Sequence, residues 1–254
     1  MSTSASASIW QSWINGNGSF GYRYGVKGFV RYLQDSRAGN ALTPELAVAP
    51  EQPMQAVKDA VGVLVWRLDQ LDTDDLVSLE IYGTVARHEV DLTRDYFSIA
   101  SPVPVPYDPD YVYEGVPGRL SAMQAGHYDS YTNMGGGIRM AIQELNSTRH
   151  RPIARKVMIL LTDGLANVNE QGRTGDTRGG RSYAIKAAHE AVEEGIMIFA
   201  VSVGNDADTS VMREIAQIGG GQWYDARGSV EQYSQQLMSI FDRLGGVRPV
   251  ELIK

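Results

Sequence analysis

The chain has 254 residues, of which 43% are hydrophobic, so it is long enough for one large domain or two small ones with a full core. Its formal net charge of -7 argues against a nucleic-acid-binding surface, which needs a basic stripe. The absence of cysteine excludes disulfides, thiolate metal sites and a cysteine nucleophile. No apolar run is long enough to predict a membrane span, which needs about 18 residues.

The first 52 residues are rich in serine, glycine and other turn-forming residues. Apolar residues at roughly helical spacing predict one helix over residues 20–34. Residues 35–52 contain Pro44 and Pro50 and are typical of an irregular surface segment. We therefore expect residues 1–52 to form an irregular N-terminal segment that packs on the main domain.

A clear helix is predicted from Pro53, because proline is favoured at the start of a helix. Residues 77–81 then alternate apolar and polar side chains, which predicts a strand, and residues 86–92 are expected to pair back on it as a hairpin. The helix has a core-facing stripe of apolar residues at spacings of three and four: Met54, Val57, Val61, Leu64, Val65, Leu68 and Leu71.

Residues 93–131 have the least regular pattern, with five prolines among several tyrosines. A short helix is expected near residues 119–124. Thr132 follows, and then a glycine-rich loop over residues 135–137 leads directly into a helix, whose apolar spacing resumes at Ile138.

The most informative stretch is 156–164. Its five consecutive apolar residues, 157–161, predict a strand buried on both faces, as in a parallel sheet, and the strand ends in a Thr-Asp-Gly turn that contains Asp163. Ser182 is expected to cap the next helix. The core-facing residues of that helix are predicted to be Ile185, Ala188, His189 and Val192.

The remaining pattern alternates between strand and helix. A second apolar strand is expected over residues 196–203, a helix over 209–217 and a short strand at Trp223 and Tyr224. The last helix begins with a capping box formed by Ser229 and Gln232.

Alternation of this kind predicts an α/β fold, a Rossmann-like doubly wound and mainly parallel sheet with helices on both faces. Ligands bind at the carboxyl ends of the strands in such sheets, which is where Thr132 and Asp163 are expected to lie. A hydroxyl and a carboxylate suit a hard cation such as Mg²⁺, which takes oxygen ligands. The alternative is that Asp163 only forms a turn with the glycine that follows it.

Residues 53–245 resemble the von Willebrand factor type A domains. The resemblance lies in the loop that contains Thr132, in the Leu-Thr-Asp-Gly strand end at Asp163, and in residues 199–204 and 222–225. It implies a main domain over residues 53–246, followed by a C-terminal tail over residues 247–254. Residues 53–61 and the Arg-Pro-Val of the tail are also similar to type A domains of bacterial tight-adherence pilus proteins.

The family resemblance implies a metal-ion-dependent adhesion site, at which a partner's carboxylate completes the coordination of Mg²⁺ or another divalent cation. Thr132 and Asp163 match two of the three segments that supply this site. The third segment, an Asp-x-Ser-x-Ser loop after the first strand, does not occur in this sequence. The site is therefore expected to be partial and its cation weakly bound.

The missing loop suggests a hypothesis about the start of the chain. In the family the loop is often followed by methionine, so Met1 could be that residue, and the first strand would then be missing along with the loop. Sequencing upstream of the start tests this, because the hypothesis requires an in-frame Asp-x-Ser-x-Ser there. The rival explanation is that the family site has degenerated and another segment fills the sheet.

The expected function is a non-enzymatic protein-binding module, in adhesion or in surface or pilus assembly, whose partner is a protein that offers a carboxylate. The resemblance implies a cell-envelope or extracellular setting. Two alternatives remain open: a metal-dependent phosphohydrolase-like enzyme, with the glycine-rich loop holding phosphate, and an ion-free structural interaction domain.

Overall fold

The computed structural model describes residues 52–246, apart from residues 73, 109–110, 112, 122 and 124–130. The predicted helix over residues 20–34, most of the N-terminal segment and the C-terminal tail lie outside the described residues. The described elements follow the predicted order: α1 (Met54–Gln70), β1 (Val77–Tyr82), β2 (Ala86–Thr93), α2 (Met134–Leu145), β3 (Lys156–Thr162), α3 (Thr177–Glu193), β4 (Ile196–Val203), α4 (Thr209–Ile218), β5 (Gly220–Ala226) and α5 (Val230–Gly246).

The strands form two groups. β3, β4 and β5 make a parallel three-stranded sheet in that order, and β1 and β2 make an antiparallel hairpin. Helices cover both faces of the parallel sheet, which confirms the predicted Rossmann-like α/β class. Among the described residues no backbone strand pairing joins the hairpin to the parallel sheet, whereas a single sheet was expected.

Two apolar cores lie on opposite faces of β4, because its side chains alternate between them. Ile198 and Ala200 face the core that contains α2, α3 and α4. Val201 and Val203 face the core that contains α1 and α5. Both cores are closely packed, and the sheet therefore holds its carboxyl edge at a fixed position between two helical layers.

The structure corrects the predicted start of α3. The helix begins at Thr177, five residues before Ser182, and Asp176 caps it by accepting a hydrogen bond from the backbone N–H of Gly179 at 2.9 Å. Gly180 lets the first turn of α3 lie against the loop after β3, since an added Cβ would lie 2.6 Å from the carbonyl oxygen of Ala166.

The core-facing side of α3 was predicted only in part, because Ala188 is buried as expected and Ile185 is half-buried. His189 and Val192 are exposed, and the buried residues are small. In the sequence, the larger side chains of the predicted face obscured the true packing face. The helix packs closely through a stripe of alanines: Ala184, Ala187, Ala188 and Ala191.

Three smaller expectations also change. The glycine-rich stretch at 135–137 is the first turn of α2 rather than a loop, because Asn133 caps the helix through the N–H of Gly136 at 3.0 Å. The described residues among 119–124 form a turn and not a helix. β5 begins at Gly220, three residues earlier than predicted. The capping box before α5 is confirmed, with Gln232 accepting from the N–H of Ser229 at 2.8 Å.

Candidate functional site

The carboxyl edge of the parallel sheet brings Thr132 and Asp163 into one region. β3 ends at Thr162, and Asp163 is exposed in the turn that follows. Thr132 lies just before α2, and a Cβ added to Gly164 would stand 3.4 Å from its Oγ1. The hydroxyl of Thr132 therefore faces the turn that carries the Asp163 carboxylate, as the sequence predicted.

Asn167 fixes the backbone of Thr132. Its side-chain oxygen accepts a hydrogen bond from the Thr132 N–H at 2.7 Å, and its own N–H donates to the Thr132 carbonyl at 3.1 Å. The Asn167 carbonyl also accepts from the N–H of Asp176, which joins this loop to the start of α3. Thr132 is thus tied to the loop that leaves β3 and not only to its own helix.

Asp208 supports the other side of the site. Its backbone N–H donates to the carbonyl of Gly164 at 3.2 Å, and its buried carboxylate caps α4 through the N–H of Val211. Arg181 on α3 forms a bidentate ion pair with this carboxylate, donating from Nε to Oδ2 at 2.7 Å and from Nη2 to Oδ1 at 2.8 Å. Arg181 therefore belongs to the support of the Asp163 turn.

Tyr82 borders the site from the hairpin. Its hydroxyl donates to the carbonyl of Leu161 in β3, two residues before Asp163. Burial raises the pKa of the Tyr82 hydroxyl, and the nearby Asp163 carboxylate raises it further against the lowering effect of a hydrogen bond with Thr162. Tyr82 therefore stays a neutral donor, and no sequence pattern marked it.

The chemistry of Thr132 and Asp163 fits a hard cation, but their number falls short of a full site. One hydroxyl and one carboxylate are oxygen ligands of the kind that Mg²⁺ prefers, and Mg²⁺ keeps several waters when a protein supplies few ligands. Within the described residues, Asp163 belongs to no group of three metal-ligating side chains. A cation held only by these two residues would be largely hydrated and weakly bound.

A second polar cluster, which the sequence did not reveal, lies where the hairpin meets α2. His88 Nδ1 is 3.0 Å from Glu80 Oε1 and His88 Nε2 is 2.8 Å from Asp91 Oδ1. Glu144 lies beside them and accepts two hydrogen bonds from Arg149, Nε to Oε1 at 2.9 Å and Nη2 to Oε2 at 2.5 Å. His88, Asp91 and Glu144 are close enough to hold a metal ion. The Arg149 guanidinium, however, already forms ion pairs with the carboxylates of Asp91 and Glu144.

The environment shifts the pKa values of this cluster. Burial alone would lower the pKa of His88, but its hydrogen bonds to Asp91 and Glu80 outweigh burial and raise it. The hydrogen bond from Arg149 holds the pKa of Glu144 below its usual value. His88 donates to two carboxylates only when it is doubly protonated, so the cluster favours the imidazolium.

Comparison with known proteins identifies the fold. The family model "von Willebrand factor type A domain" matches residues 119–241, which include Thr132 and Asp163. This part of the chain is a von Willebrand factor type A domain. Type A domains are generally protein-interaction modules and typically not enzymes, and many bind a divalent cation. No curated protein sequence matches the chain.

Solved structures show the same fold at low sequence identity. An aerotolerance-related membrane protein from Bacteroides fragilis is 15% identical with a TM-score of 0.50, over 76% of this chain and 90% of that one. A von Willebrand factor type A protein from Catenulispora acidiphila is 18% identical with a TM-score of 0.51, over 80% and 40%. The PilB minor pilin from Streptococcus sanguinis is 14% identical with a TM-score of 0.53, over 79% and 56%.

Proposed function

We propose that the chain is a non-enzymatic protein-binding module whose binding face is the carboxyl edge around Thr132 and Asp163. The observation that carries this proposal is the pairing of the Thr132 hydroxyl with the Asp163 turn, held from two sides by Asn167 and Asp208. A face built from fixed turns that presents the exposed Asp163 carboxylate suits recognition of another protein surface.

We further propose that Thr132 and Asp163 hold Mg²⁺ or another divalent cation weakly, and that a carboxylate of the partner adds a ligand. Exposed apolar side chains flank this edge, Val85 after β1 and Leu165 after Asp163, at 48% and 44% exposure. They offer contact area beside the polar site, as interfaces generally do. Adhesion or surface assembly, including pilus assembly, is the biological setting that we propose.

No helix in the described part of the chain is long and apolar enough to cross a membrane.

The second candidate is an ion-free interaction domain. It is favoured by the same edge, because Asp163 joins no group of three metal-ligating side chains among the described residues. The two candidates share a fold and a binding face and differ only in the cation. The enzymatic alternative, a phosphohydrolase-like activity, has no comparable observation in its favour among the described residues.

Calorimetric titration of Mg²⁺ and Mn²⁺ into the full chain separates the two candidates. If the site binds a cation, we expect saturable binding with a dissociation constant on the order of 1 mM, the range of weak extracellular cation sites. Asp163→Ala should abolish it, and Asp206→Ala, which removes another exposed carboxylate after β4, should not. A folded chain with no binding would leave the ion-free module.

A further inference from the structure

Almost every basic side chain in the described part of the chain has an interaction partner. Most arginines pair with carboxylates, as Arg67 does with Asp242, and Arg213 lies over the ring of Trp223. Within the described part of residues 52–246, the exceptions are three arginines whose side chains form no ion pair, hydrogen bond or ring contact: Arg173, Arg178 and Arg243. Because carboxylates outnumber basic groups in a chain of net charge -7, unpaired arginines are unexpected here.

Arg173 lies in a turn of fixed conformation between β3 and α3. The side-chain oxygen of Asn169 accepts hydrogen bonds from the N–H groups of Gln171 and Arg173 at 3.1 and 2.9 Å, and an antiparallel bridge closes the turn. Gly172 has a φ of 77°, in the left-handed region that favours glycine. The exposed side chain of Arg173 is therefore held in place at its backbone, although its guanidinium has no partner.

Asp176 lies between Arg173 and Arg178 in the sequence, but its carboxylate is already hydrogen-bonded. Oδ1 accepts from the N–H of Gly179 and Oδ2 accepts from the side-chain amide of Asn169, both at 2.9 Å. These two bonds, more than the charges of the two arginines, hold the pKa of Asp176 below its usual value. Asp176 thus fixes the start of α3, and both guanidinium groups can bind carboxylates of another molecule.

The surface formed by Arg173 and Arg178, here called the arginine surface, is joined to the carboxyl edge in two ways. The N–H of Asp176 donates to the carbonyl of Asn167, the residue that fixes the segment before α2. Arg178 lies three residues before Arg181 on α3 and therefore on the same side of the helix, and Arg181 supports the turn after β3. The arginine surface is thus continuous with the proposed binding face.

We propose that the arginine surface binds an acidic segment of a protein partner through at least two of its carboxylates. This inference names the partner chemistry of the proposed protein-binding face and rests on that function. Arginine suits the role, because its planar guanidinium donates two parallel hydrogen bonds to one carboxylate. The nearby carboxylate of Glu170 does not compete for the arginines, because Lys186 and Arg139 already hold it.

Fluorescence anisotropy of a dye-labelled peptide of six glutamates, titrated with the full chain in EDTA, tests the arginine surface without a divalent cation. We expect Arg173→Gln and Arg178→Gln each to weaken binding by about two- to fivefold, the range for one exposed ion pair. Arg243→Gln removes the same charge near the end of α5, in the helical layer on the other face of the sheet. It should leave binding unchanged at about 0.1 M salt, where charges more than about 10 Å away are largely screened. A peptide of six glutamines should not bind.

Asp163→Ala separates this proposal from the cation site. It should abolish cation binding but should not weaken peptide binding, because Asp163 carries the same charge as the peptide. Weaker peptide binding in Asp163→Ala, or an effect of Arg243→Gln as large as that of Arg178→Gln, would show that the arginine surface is not the site.

Two further results would overturn an acidic protein partner. One is the absence of any binding of the glutamate peptide to the wild-type chain. The other is tighter binding of a single-stranded hexanucleotide that is lost in the same arginine variants. Neither result affects the proposed cation at Asp163, which the calorimetric titration tests separately.

Discussion

The side-chain oxygen of Asn167 accepts a hydrogen bond of 2.7 Å from the backbone N–H of Thr132, 35 residues away in the sequence. This bond joins the loop after β3 to the segment before α2. The two residues predicted to hold a cation therefore owe their relative position to a third residue, one that would not itself bind the ion.

Asn167→Ala removes the acceptor for the Thr132 N–H. We expect the free energy of unfolding to fall by about 1 kcal/mol, because a partly buried donor loses its partner. Hydrogen exchange at Thr132 should become faster, while urea unfolding gives the change in stability. Asn167→Asp keeps an acceptor and should preserve the slow exchange. Unchanged exchange at Thr132 in the alanine variant would mean that Asn167 does not hold this segment.

Arg181→Ala leaves the buried Asp208 carboxylate without its two-point partner. We expect a loss of about 1–2 kcal/mol, less than for a fully buried ion pair because the Arg181 side chain is 45% exposed. Urea denaturation measures it. Arg178→Ala, at an exposed position one turn earlier on α3, is the matched control and should stay within about 0.5 kcal/mol of the wild type. Equal effects of the two substitutions would rule out a specific role for Arg181.

The His88 cluster should make stability depend on pH. The pKa of His88 is raised in the folded chain above its ordinary value, about 6.5, so the stability that His88 contributes is fully present below that value. It is lost as pH rises through the folded-state pKa. We expect the stability difference between wild type and His88→Gln to be largest below about pH 6.5 and to shrink as the pH rises above it. The exposed His189→Gln is the control, and a difference that grows with pH would contradict the protonated cluster.

Gly137 provides a test of the contact between α2 and β1. Alanine is favoured over glycine in a helix by about 1 kcal/mol, but a Cβ at this position would overlap the ring of Tyr82. We expect Gly137→Ala to destabilise the chain by about 1–3 kcal/mol, as overpacking does. Thermal and urea unfolding should show that Tyr82→Ala suppresses this penalty. Gly246→Ala, where an added Cβ has no neighbour within 4 Å, should be nearly neutral, and a stabilised Gly137→Ala would refute the contact.

The sequence predicted the order of elements well, because the apolar runs at 157–161 and 196–201 and the spacing in α1 follow simple burial patterns. It also predicted that Thr132 and Asp163 lie at the carboxyl edge of the sheet, because ligand-binding residues follow the strands of such sheets. The start of α3 was missed because its first turn consists of polar residues and glycines, which match a loop pattern.

The His88 cluster could not be predicted for a different reason. In a regular strand, His88 and Asp91 would lie on opposite faces. The register shift between the pairs Leu79–Val90 and Glu80–His88 shows that β2 carries one extra residue, a β-bulge that turns Asp91 towards His88. The support of the site by Asn167, Asp208 and Tyr82 is equally invisible, since it depends on contacts between distant segments.

Binding of Mn²⁺, followed by paramagnetic broadening in the amide NMR spectrum of the full chain, tests the proposed site most directly. A cation at Thr132 and Asp163 should broaden the amide signals of Thr132, Asp163 and Gly164 first, and Asp163→Ala should remove that broadening. Broadening that begins instead at His88 and Asp91, or none at any concentration of a folded chain, would contradict a cation site at the carboxyl edge.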